Sequence, residues 1–314
     1  MSSTWMFENW IAASWDRLSP GRQILLGIEQ WIFREKSPFQ EVAIARVPEF
    51  GRGLFLDGVV QFLELDEYVY HEHLALSPLL FHPDPKRVLI QGGGDGLALR
   101  EILRDPRVEE VVLVDIDDVV VEACKKHLPD LHRGSFDDLR ARVVIRDVVD
   151  YLEGDPGHFD VVLGDLVDVF NPQILALYDN VLALTKDVLS PGAVLCYFGE
   201  LAHPSYRLTP LYVRLARSFR CVETHRAVID SFSSEYGFVL ASNDVSFRDT
   251  PPSILSERAA ALKGPLRALI PASFPGAFHL PPYLLEHFRE ALHNPSYRLE
   301  IAKDAFGWIF PEEG

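Results

Sequence analysis

The segment with the clearest chemical potential is a glycine-rich loop in VLIQGGGDGLALRE, at residues 88–101, between a run of β-forming residues and a helical pattern. Glycine lets the backbone turn tightly and approach a ligand closely, and four glycines occur here: Gly92, Gly93, Gly94 and Gly96. Asp95 lies inside the loop, where its carboxylate would repel a pyrophosphate. The pattern therefore favours a ligand that carries an amine or a sulfonium over a dinucleotide.

Two further aspartates follow the next two strand-like runs. Asp115 lies 19 residues after Gly96, the position from which a carboxylate commonly binds ribose hydroxyls. Asp147 follows the third run, where adenine could bind. Together with Asp95, these residues favour an adenosyl ligand with a positively charged tail. The alternative is that Asp115 and Asp147 only cap the helices that follow them.

A second pair of carboxylates, Asp165 and Asp168, occurs in the segment GDLVD after the fourth strand-like run. Two acids three residues apart can share a face of a turn and bind or deprotonate a cationic amine. An alkyl ammonium has a pKa near ~10.4, so a base must remove its proton before the amine can attack carbon. The alternative for Asp168 is a turn-forming role before Asn171 and Pro172.

Tyr70 and His71 are further candidates, within DEYVYHE at residues 66–72. Tyr70 could accept or orient the proton of the amine, and His71 could contact the donor of a transferred group. The alternatives are a core aromatic residue and a surface histidine. No metal site is expected, because His71, Glu72 and His73 are adjacent and do not share a helical face.

The elements that must position these residues are of two kinds. Residues 21–64 contain short β-forming runs at hairpin spacing, which predict a small antiparallel unit. Residues 67–82 have apolar side chains at helical spacing and are followed by Pro83 and Pro85. From Lys86 onward, Val/Ile/Leu-rich strands alternate with amphipathic helices, which is typical of a parallel sheet covered on both faces.

Two later runs, at residues 221–229 and 235–242, would bring this sheet to seven strands. The sequence therefore predicts an α/β fold with a Rossmann-like, methyltransferase-type sheet of seven strands and a small antiparallel β-domain before it. We expect the N-terminal β-domain and its connecting helix at residues 1–80. The catalytic domain is expected at residues 81–314, ending in a helical extension without a core of its own.

The charge balance excludes several classes of partner. The 314 residues include 30 Lys and Arg against 46 Asp and Glu, a formal charge of −16, and 48% are hydrophobic. An acidic surface argues against nucleic acid and anionic membranes and complements a cationic ligand.

The three cysteines, Cys124, Cys196 and Cys221, are far apart, and no apolar run is long enough to span a bilayer. We therefore expect a reduced, cytoplasmic protein.

The motifs in combination resemble the polyamine aminopropyltransferases, the family of the spermidine and spermine synthases. The similarity rests on GGGDG with LRE, preceded by LDGVVQ and DEYVYHE and followed by VDID, and runs from about Gln40 to Ser242. The resemblance implies transfer of an aminopropyl group from decarboxylated S-adenosylmethionine to a polyamine amine, with release of methylthioadenosine. It also implies a co-substrate rather than a cofactor, no metal, and a homodimer or homotetramer.

The resemblance assigns roles to individual residues. Asp95 would hold the ammonium of the donor, Asp115 its ribose, and Asp147 with Val148 its adenine. The remaining donor-binding positions are Gln61, His71, Gly92 and Gly94. Asp165 would be the base, assisted by Tyr70. The acceptor-binding positions are Tyr70, Asp168, Ser231 and Phe232.

The sequence departs from the family pattern on the acceptor side. Val169 replaces the proline that usually follows the second acid, Phe198 stands where many members have Gln, and the segment DSFSSEYGFVLAS lacks a tyrosine that helps bind putrescine. These features are more similar to thermospermine synthases and to triamine or agmatine enzymes. They favour conversion of spermidine to thermospermine or spermine, with putrescine or agmatine as the alternative acceptor. A SAM-dependent methyltransferase and a polyamine-binding sensor would share the fold and many of these motifs.

Overall fold

A computed structural model describes residues 10–12, 25–169, 172–201 and 208–294. The first described elements are a short antiparallel pair, β1 (Trp10–Ala12) and β2 (Leu25–Gly27). A four-stranded antiparallel sheet follows, with its strands adjacent in chain order: β3 (Gln30–Lys36), β4 (Glu41–Val47), β5 (Gly51–Leu56) and β6 (Val59–Leu63). The antiparallel unit predicted from the hairpin spacing is thus confirmed.

The turn between β5 and β6 shows how the local sequence determines this sheet. Leu56 pairs with Val59, so only Asp57 and Gly58 form the loop. Both have positive φ, 49° and 76°. A two-residue hairpin of this kind requires left-handed backbone at both positions, which Asp-Gly tolerates better than almost any other pair. The turn brings Val59 and Gln61 to the edge that faces the large cavity described below.

A buried helical segment connects the two sheets. It consists of α1 (Glu67–His71), a π-helical turn (Glu72–Leu76) and α2 (Ser77–Phe81). Pro78 cannot donate a backbone hydrogen bond, and the Ser77 hydroxyl donates to the carbonyl of His73 at 2.6 Å. Both features occur where the π-helical turn, which is wider than an α-helical turn, passes into α2. Such turns are frequent at functional sites. The segment carries Tyr70 and His71 on its first turn.

The second sheet has seven strands, as the sequence predicts. They are β7 (Arg87–Gly92), β8 (Glu110–Asp115), β9 (Ala141–Ile145), β10 (Phe159–Asp165), β11 (Leu189–Glu200), β12 (Cys221–Ile229) and β13 (Ser234–Ser242). Their order is β12-β13-β11-β10-β7-β8-β9, and β13 runs antiparallel to both of its neighbours. The strand order reverses between β7 and β10, and ligands of open α/β sheets bind at such a switch point.

Helices cover both faces of this sheet. The helices that lie between β7 and β12 along the chain are α3 (Leu97–Ile102), α4 (Asp118–His127), α5 (Pro129–His132), α6 (Val148–Glu153), α7 (Pro172–Asp187) and α8 (Thr209–Ser218). Alternation along β7 divides the core: Val88 and Ile90 belong to one apolar cluster, and Leu89 belongs to the cluster on the opposite face. In the part of the chain that the structure describes, no helix is long and apolar enough to cross a bilayer.

Three helices follow the last strand: α9 (Pro252–Ala260), α10 (Phe274–Ala277) and α11 (Pro282–His293). Their side chains pack into the clusters of the seven-stranded sheet, with Phe274 and Phe278 on one face and Leu284 and Phe288 on the other. The division into residues 1–80 and 81–314 stays a prediction. Residues 1–9, 13–24, 170–171, 202–207 and 295–314 of those two units lie outside the described residues.

Two stacked histidines, His73 half-buried and His225 buried, should make the folded chain sensitive to acid. The rings of His73 and His225 stack with centroids 5.2 Å apart, and both stack on Phe238. Burial lowers the pKa of His73 to about 4 and that of His225 well below its ordinary value. The unfolded chain takes up these protons near pH ~6.5, so stability falls as the pH drops through the window from about 6.5 to about 4.

We expect the change from pH 7 to pH 5 to cost the folded state about 2 kcal/mol through His73 alone. The measurement is the free energy of unfolding by urea at both pH values. In His73→Phe/His225→Phe the loss between the two pH values should be smaller by at least that amount. Exposed His158→Gln is the control and should behave as the wild type. An equal pH dependence in the double variant and the wild type would contradict the assignment.

Candidate active site

A cavity of about 390 Å³ lies at the carboxyl ends of β7, β8 and β10. The four-stranded sheet and the connecting helix complete its wall. Eleven of the thirteen site residues predicted from the sequence line it: Gln61, Tyr70, His71, Gly92, Gly94, Asp95, Asp115, Asp147, Val148, Asp165 and Phe232. Residues far apart in the chain therefore meet at the switch point of the sheet.

The glycine loop forms the floor of the cavity, and its geometry explains its composition. Gly92 has a φ of 86°, and a Cβ there would lie 2.1 Å from the carbonyl oxygen of Asp165. The backbone N–H of Gly94 donates to Oδ2 of Asp115 at 2.9 Å, and a Cβ on Gly94 would come within 2.7 Å of that oxygen. Larger residues would displace the backbone of Asp165 and the carboxylate of Asp115, so the loop needs glycine for close approach.

Asp95 sits where the loop enters α3 and faces a cationic histidine. Its Oδ1 accepts the backbone N–H of Leu97 at 2.8 Å, and its Oδ2 lies 3.8 Å from Nε2 of His71. Burial opposes the charged form of His71, but the carboxylates of Asp95 and Glu67 outweigh it and raise the pKa of His71 to about 10. Nδ1 of His71 lies 2.7 Å from the Glu67 carbonyl oxygen. The histidine is thus held in a fixed orientation beside Asp95.

Asp115 and Asp147 differ in how they are held. Burial raises the pKa of Asp115 to about 6, although its carboxylate accepts backbone N–H groups of Gly94 and Asp117. The residue that caps α4 is Asp117, so the capping alternative does not apply to Asp115. Asp147 does cap α6, because its Oδ1 accepts the N–H of Val149 at 2.7 Å. It lines the cavity as well, so the two roles coexist.

Asp165 and Tyr70 form a hydrogen-bonded pair in which Tyr70 is buried and Asp165 half-buried. The Tyr70 hydroxyl donates to Oδ1 of Asp165 at 2.6 Å. Burial and the charge of Asp95 raise the pKa of Asp165 to about 7, while His71 and the Tyr70 hydrogen bond act in the opposite direction. Burial and the neighbouring Asp165 raise the pKa of Tyr70 well above 10, so Tyr70 stays protonated. A carboxylate that titrates near neutral pH beside a fixed donor is suited to proton transfer.

Aromatic side chains cover the opposite wall. Phe198 stacks on Tyr236 at 6.2 Å between ring centroids and meets Tyr70 edge to face at 5.1 Å. Phe232 lies 5.1 Å from the ring of Tyr236. Because aromatic faces attract cations, this wall suits an alkyl ammonium. Together with the carboxylates, it makes the cavity fit for two positively charged ligands.

Two predicted acceptor residues, Asp168 and Ser231, lie outside the cavity wall. Asp168 is buried and accepts the Tyr236 hydroxyl at 3.4 Å, so Tyr236 connects it to the cavity. The backbone N–H of Ser231 donates to the buried carboxylate of Asp66 at 2.8 Å. The loop of Ser231 is thereby fixed to the start of α1.

Tyr236 was missed because the family motif directs attention to another position. The signal was present in the alternation of β13, which places Tyr236 and Phe238 on the same face. The lining residues contributed by β5, β6 and the loop before β4 were also missed: Phe39, Gln40, Leu54, Leu56, Asp57 and Val59. Oδ2 of Asp117 accepts from Ser37 and Gln40 at 2.7 and 2.9 Å, which fastens that loop to α4.

The fold and this cavity define a class: an α/β protein with a ligand cavity, lined by carboxylates and aromatic rings, at the switch point of its sheet. Among the described residues, no group of His, Cys, Asp or Glu side chains is arranged to hold a metal ion. Residues 67–246 match the Spermine/spermidine synthase domain, and residues 9–64 match the Spermidine synthase tetramerisation domain.

Similar proteins agree with these matches. A polyamine aminopropyltransferase of Aeropyrum pernix is 40% identical over 260 residues, covering 81% of this chain and 80% of the relative. Polyamine aminopropyltransferase 2 of Pseudomonas aeruginosa is 37% identical over 251 residues, covering 79% and 72%. The spermidine synthase of Thermotoga maritima has a TM-score of 0.78 at 26% identity, covering 90% of this chain and 93% of its own.

A further solved structure, a spermidine synthase in complex with the transition state analogue AdoDATO, also has a TM-score of 0.78 at 27% identity, covering 90% and 93%. The chain therefore belongs to the spermine/spermidine synthase family. It is a polyamine aminopropyltransferase. The family assignment favours an aminopropyltransferase over the methyltransferase and the binding sensor. Which polyamine accepts the aminopropyl group depends on the side chains of the site.

Proposed function

We propose that the chain transfers the aminopropyl group of decarboxylated S-adenosylmethionine to spermidine, giving thermospermine or spermine and methylthioadenosine. The observation that carries the proposal is the hydrogen bond of 2.6 Å between Tyr70 and Asp165, in one cavity with Asp95. A base of pKa about 7 and a separate carboxylate for a cation are the two groups that this transfer requires.

The donor has a set of partners along the strand ends. In the proposed complex, Asp115 binds the ribose hydroxyls, and Asp147 with Val148 contacts adenine. Gly92 and Gly94 allow the sulfonium to approach the backbone, and Gln61 closes the pocket from the four-stranded sheet. Asp95 binds the donor ammonium, and His71 orients Asp95. The acidic surroundings offset the repulsion between two cationic substrates.

The transfer is a direct displacement at carbon. Asp165 takes a proton from the acceptor ammonium, while Tyr70 holds the carboxylate through its Oδ1. The freed nitrogen pair forms a bond to the methylene next to sulfur. The carbon–sulfur bond breaks, and its electron pair stays on sulfur, which leaves as the neutral thioether of methylthioadenosine. The sulfonium is an activated leaving group, so the protein mainly holds the reactants in line.

The acceptor preference rests on the aromatic wall. Phe198, Phe232 and Tyr236 present ring faces rather than amide groups along the path beyond Asp165. Such a surface packs against the methylene chain of a longer polyamine and attracts its central ammonium. Tyr236 and Asp168 together replace the tyrosine that is missing from the family motif. This combination supports spermidine over putrescine or agmatine.

One incubation of the enzyme with decarboxylated S-adenosylmethionine and a panel of amines tests the proposal. The panel contains putrescine, agmatine, norspermidine and spermidine, and the products are separated by chromatography. Thermospermine or spermine as the main product supports the proposed acceptor. Reaction confined to putrescine or agmatine rejects the acceptor but keeps the aminopropyl transfer. Release of methylthioadenosine without any aminopropylated product rejects the transfer itself.

Phe198→Gln should shift the acceptor preference toward short diamines. The amide would remove an aromatic face and offer a hydrogen-bond acceptor to the distal ammonium of putrescine. We expect the ratio of kcat/KM for putrescine to that for spermidine to rise about 10-fold, which is ~1.4 kcal/mol. Phe198→Leu is the matched control, because it removes the ring without adding a polar group. A ratio that rises equally in both variants would contradict a role of the amide.

Tyr70→Phe should move the pH dependence of kcat. The base must be unprotonated, so wild-type kcat should fall as the pH drops below about 7. The Tyr70 hydrogen bond lowers the pKa of Asp165, and its loss leaves burial and Asp95 as stronger influences. The midpoint of the profile should therefore move to higher pH, with kcat reduced. A lower kcat with an unchanged midpoint would indicate that Tyr70 acts only through packing.

We also propose that the chain assembles as a homotetramer through its N-terminal region, which matches the tetramerisation domain over residues 9–64. A dimer is the alternative. Light scattering coupled to size-exclusion chromatography distinguishes the two, since the mass of the particle should be four times that of the chain. A particle of twice the chain mass would support the dimer instead.

A further inference from the structure

A second cavity, of about 370 Å³, is bordered by α1, as the proposed donor site is. Helix α1 contributes to both cavities, with Tyr70 and His71 in the first and Glu67 and Tyr68 in the second. Four stretches of chain form the second cavity: residues 67–72, 100–104, 132–140 and 263–267. We call it the arginine cavity, after its Arg and Lys side chains: Arg100, Arg104, Arg133, Arg140, Lys263 and Arg267.

The acids of the arginine cavity are already neutralised. Arg100 binds Glu67 at 2.8 and 2.9 Å through two nitrogens and also contacts Glu101. Arg104 binds Glu101 and Glu72. Glu72 also accepts the backbone N–H groups of residues 267–269. These pairs hold the walls together and use up the negative charge on this side of the cavity.

The fourth acid, Asp138, is paired with Arg140 at 2.9 Å. Three cations then have no carboxylate within 4.0 Å in the part of the chain that the structure describes: Arg133, Lys263 and Arg267. All three are exposed at the rim. The guanidinium carbon of Arg267 lies 3.5 Å from the centroid of the Tyr68 ring, a cation–π contact that holds the side chain at the rim.

The local charge is opposite to that of the whole protein. Six Arg and Lys residues line the arginine cavity against four Asp and Glu, in a chain whose formal charge is −16. Cations brought together from three separate stretches repel each other unless an anion lies between them. Arginine presents a planar fork of donors that matches phosphate oxygens, so the unpaired side chains suit a phosphoryl group.

We propose that the arginine cavity binds a small polyvalent phosphate, with Arg133, Lys263 and Arg267 as its direct contacts. The volume admits a chain of two or three phosphoryl groups. The site is separate from the donor and acceptor pocket, so it does not depend on the assigned acceptor. Its occupant would contact Tyr68, two residues from the tyrosine that holds Asp165.

The test is calorimetric titration of the full chain with inorganic phosphate, pyrophosphate and tripolyphosphate. These probes contain no adenine, so they have no reason to occupy the donor site. We expect affinity to rise with the number of phosphoryl groups and to fall about 10-fold or more in Arg133→Ala/Arg267→Ala. The control is Arg46→Ala/Arg220→Ala, which removes the same charge from exposed positions outside the cavity. The control should bind as the wild type.

Two further measurements make the outcome decisive. Binding should weaken as the salt concentration rises, because the contacts at the rim are screened. Far-ultraviolet circular dichroism and aminopropyl transfer should be unchanged in the double variant, which shows that it is folded. Equal losses in the cavity variant and the control would place the anion elsewhere. No heat of binding at millimolar tripolyphosphate would overturn the proposal, while the proposed transfer activity would stand.

Discussion

Replacing Asp165 with Asn should lower kcat by about 100- to 10,000-fold, the contribution typical of a positioned general base. The variant keeps the shape of the side chain, and its amide oxygen can still accept the Tyr70 hydroxyl that now lies 2.6 Å from Oδ1. What it loses is the ability to take the proton of the acceptor. Steady-state kinetics with saturating decarboxylated S-adenosylmethionine and spermidine measure the effect.

The donor side supplies the internal control for Asp165→Asn. Methylthioadenosine is expected to bind in the adenosyl pocket, and it has no ammonium from which Asp165 would take a proton. Its Kd should therefore change little. Asp187→Asn, at the exposed end of α7, removes one charge far from the cavity wall and should leave kcat unchanged. Wild-type turnover in Asp165→Asn would reject this residue as the base. A large rise in the Kd for methylthioadenosine would show instead that the pocket had changed shape.

The seven-stranded sheet could be predicted from the sequence because its strands are buried on both faces. In few structures other than a covered parallel sheet can a run such as VVLVD in β8 both satisfy its backbone hydrogen bonds and bury its side chains. The π-helical turn at Glu72–Leu76 could not be predicted, since its apolar spacing differs only slightly from that of an α-helix. Local irregularity of this size depends on tertiary packing.

The carboxylates of the site could be predicted for a related reason. Residues that follow successive parallel strands must meet at one edge of the sheet, whatever the loops do. No such rule predicts where the wall formed by the four-stranded sheet lies, because its position depends on tertiary contacts such as the hydrogen bond of Gln40 to Asp117. Tyr236 lies on the opposite wall, and the alternation of β13 already placed it on one face with Phe238. Its hydrogen bond to the buried Asp168, by contrast, becomes evident only in three dimensions.

Asp95→Asn should weaken the binding of decarboxylated S-adenosylmethionine about 100-fold. The carboxylate is proposed to bind the donor ammonium, and loss of one member of a close charge pair costs ~2–5 kcal/mol. The variant retains an oxygen for the Leu97 N–H, so the loop can keep its turn. Calorimetry with the decarboxylated donor measures the loss. Methylthioadenosine, which has no ammonium, should bind as it does to the wild type.

The same substitution separates charge from shape in donor selection. S-adenosylmethionine carries a carboxylate that Asp95 would repel, so the wild type should prefer the decarboxylated form strongly. In Asp95→Asn that preference should shrink, because attraction for one donor and repulsion of the other disappear together. An unchanged preference would contradict the role of Asp95. Weaker binding of methylthioadenosine would indicate that the Leu97 hydrogen bond and the loop had been disturbed, because methylthioadenosine has no ammonium for the carboxylate of Asp95 to bind.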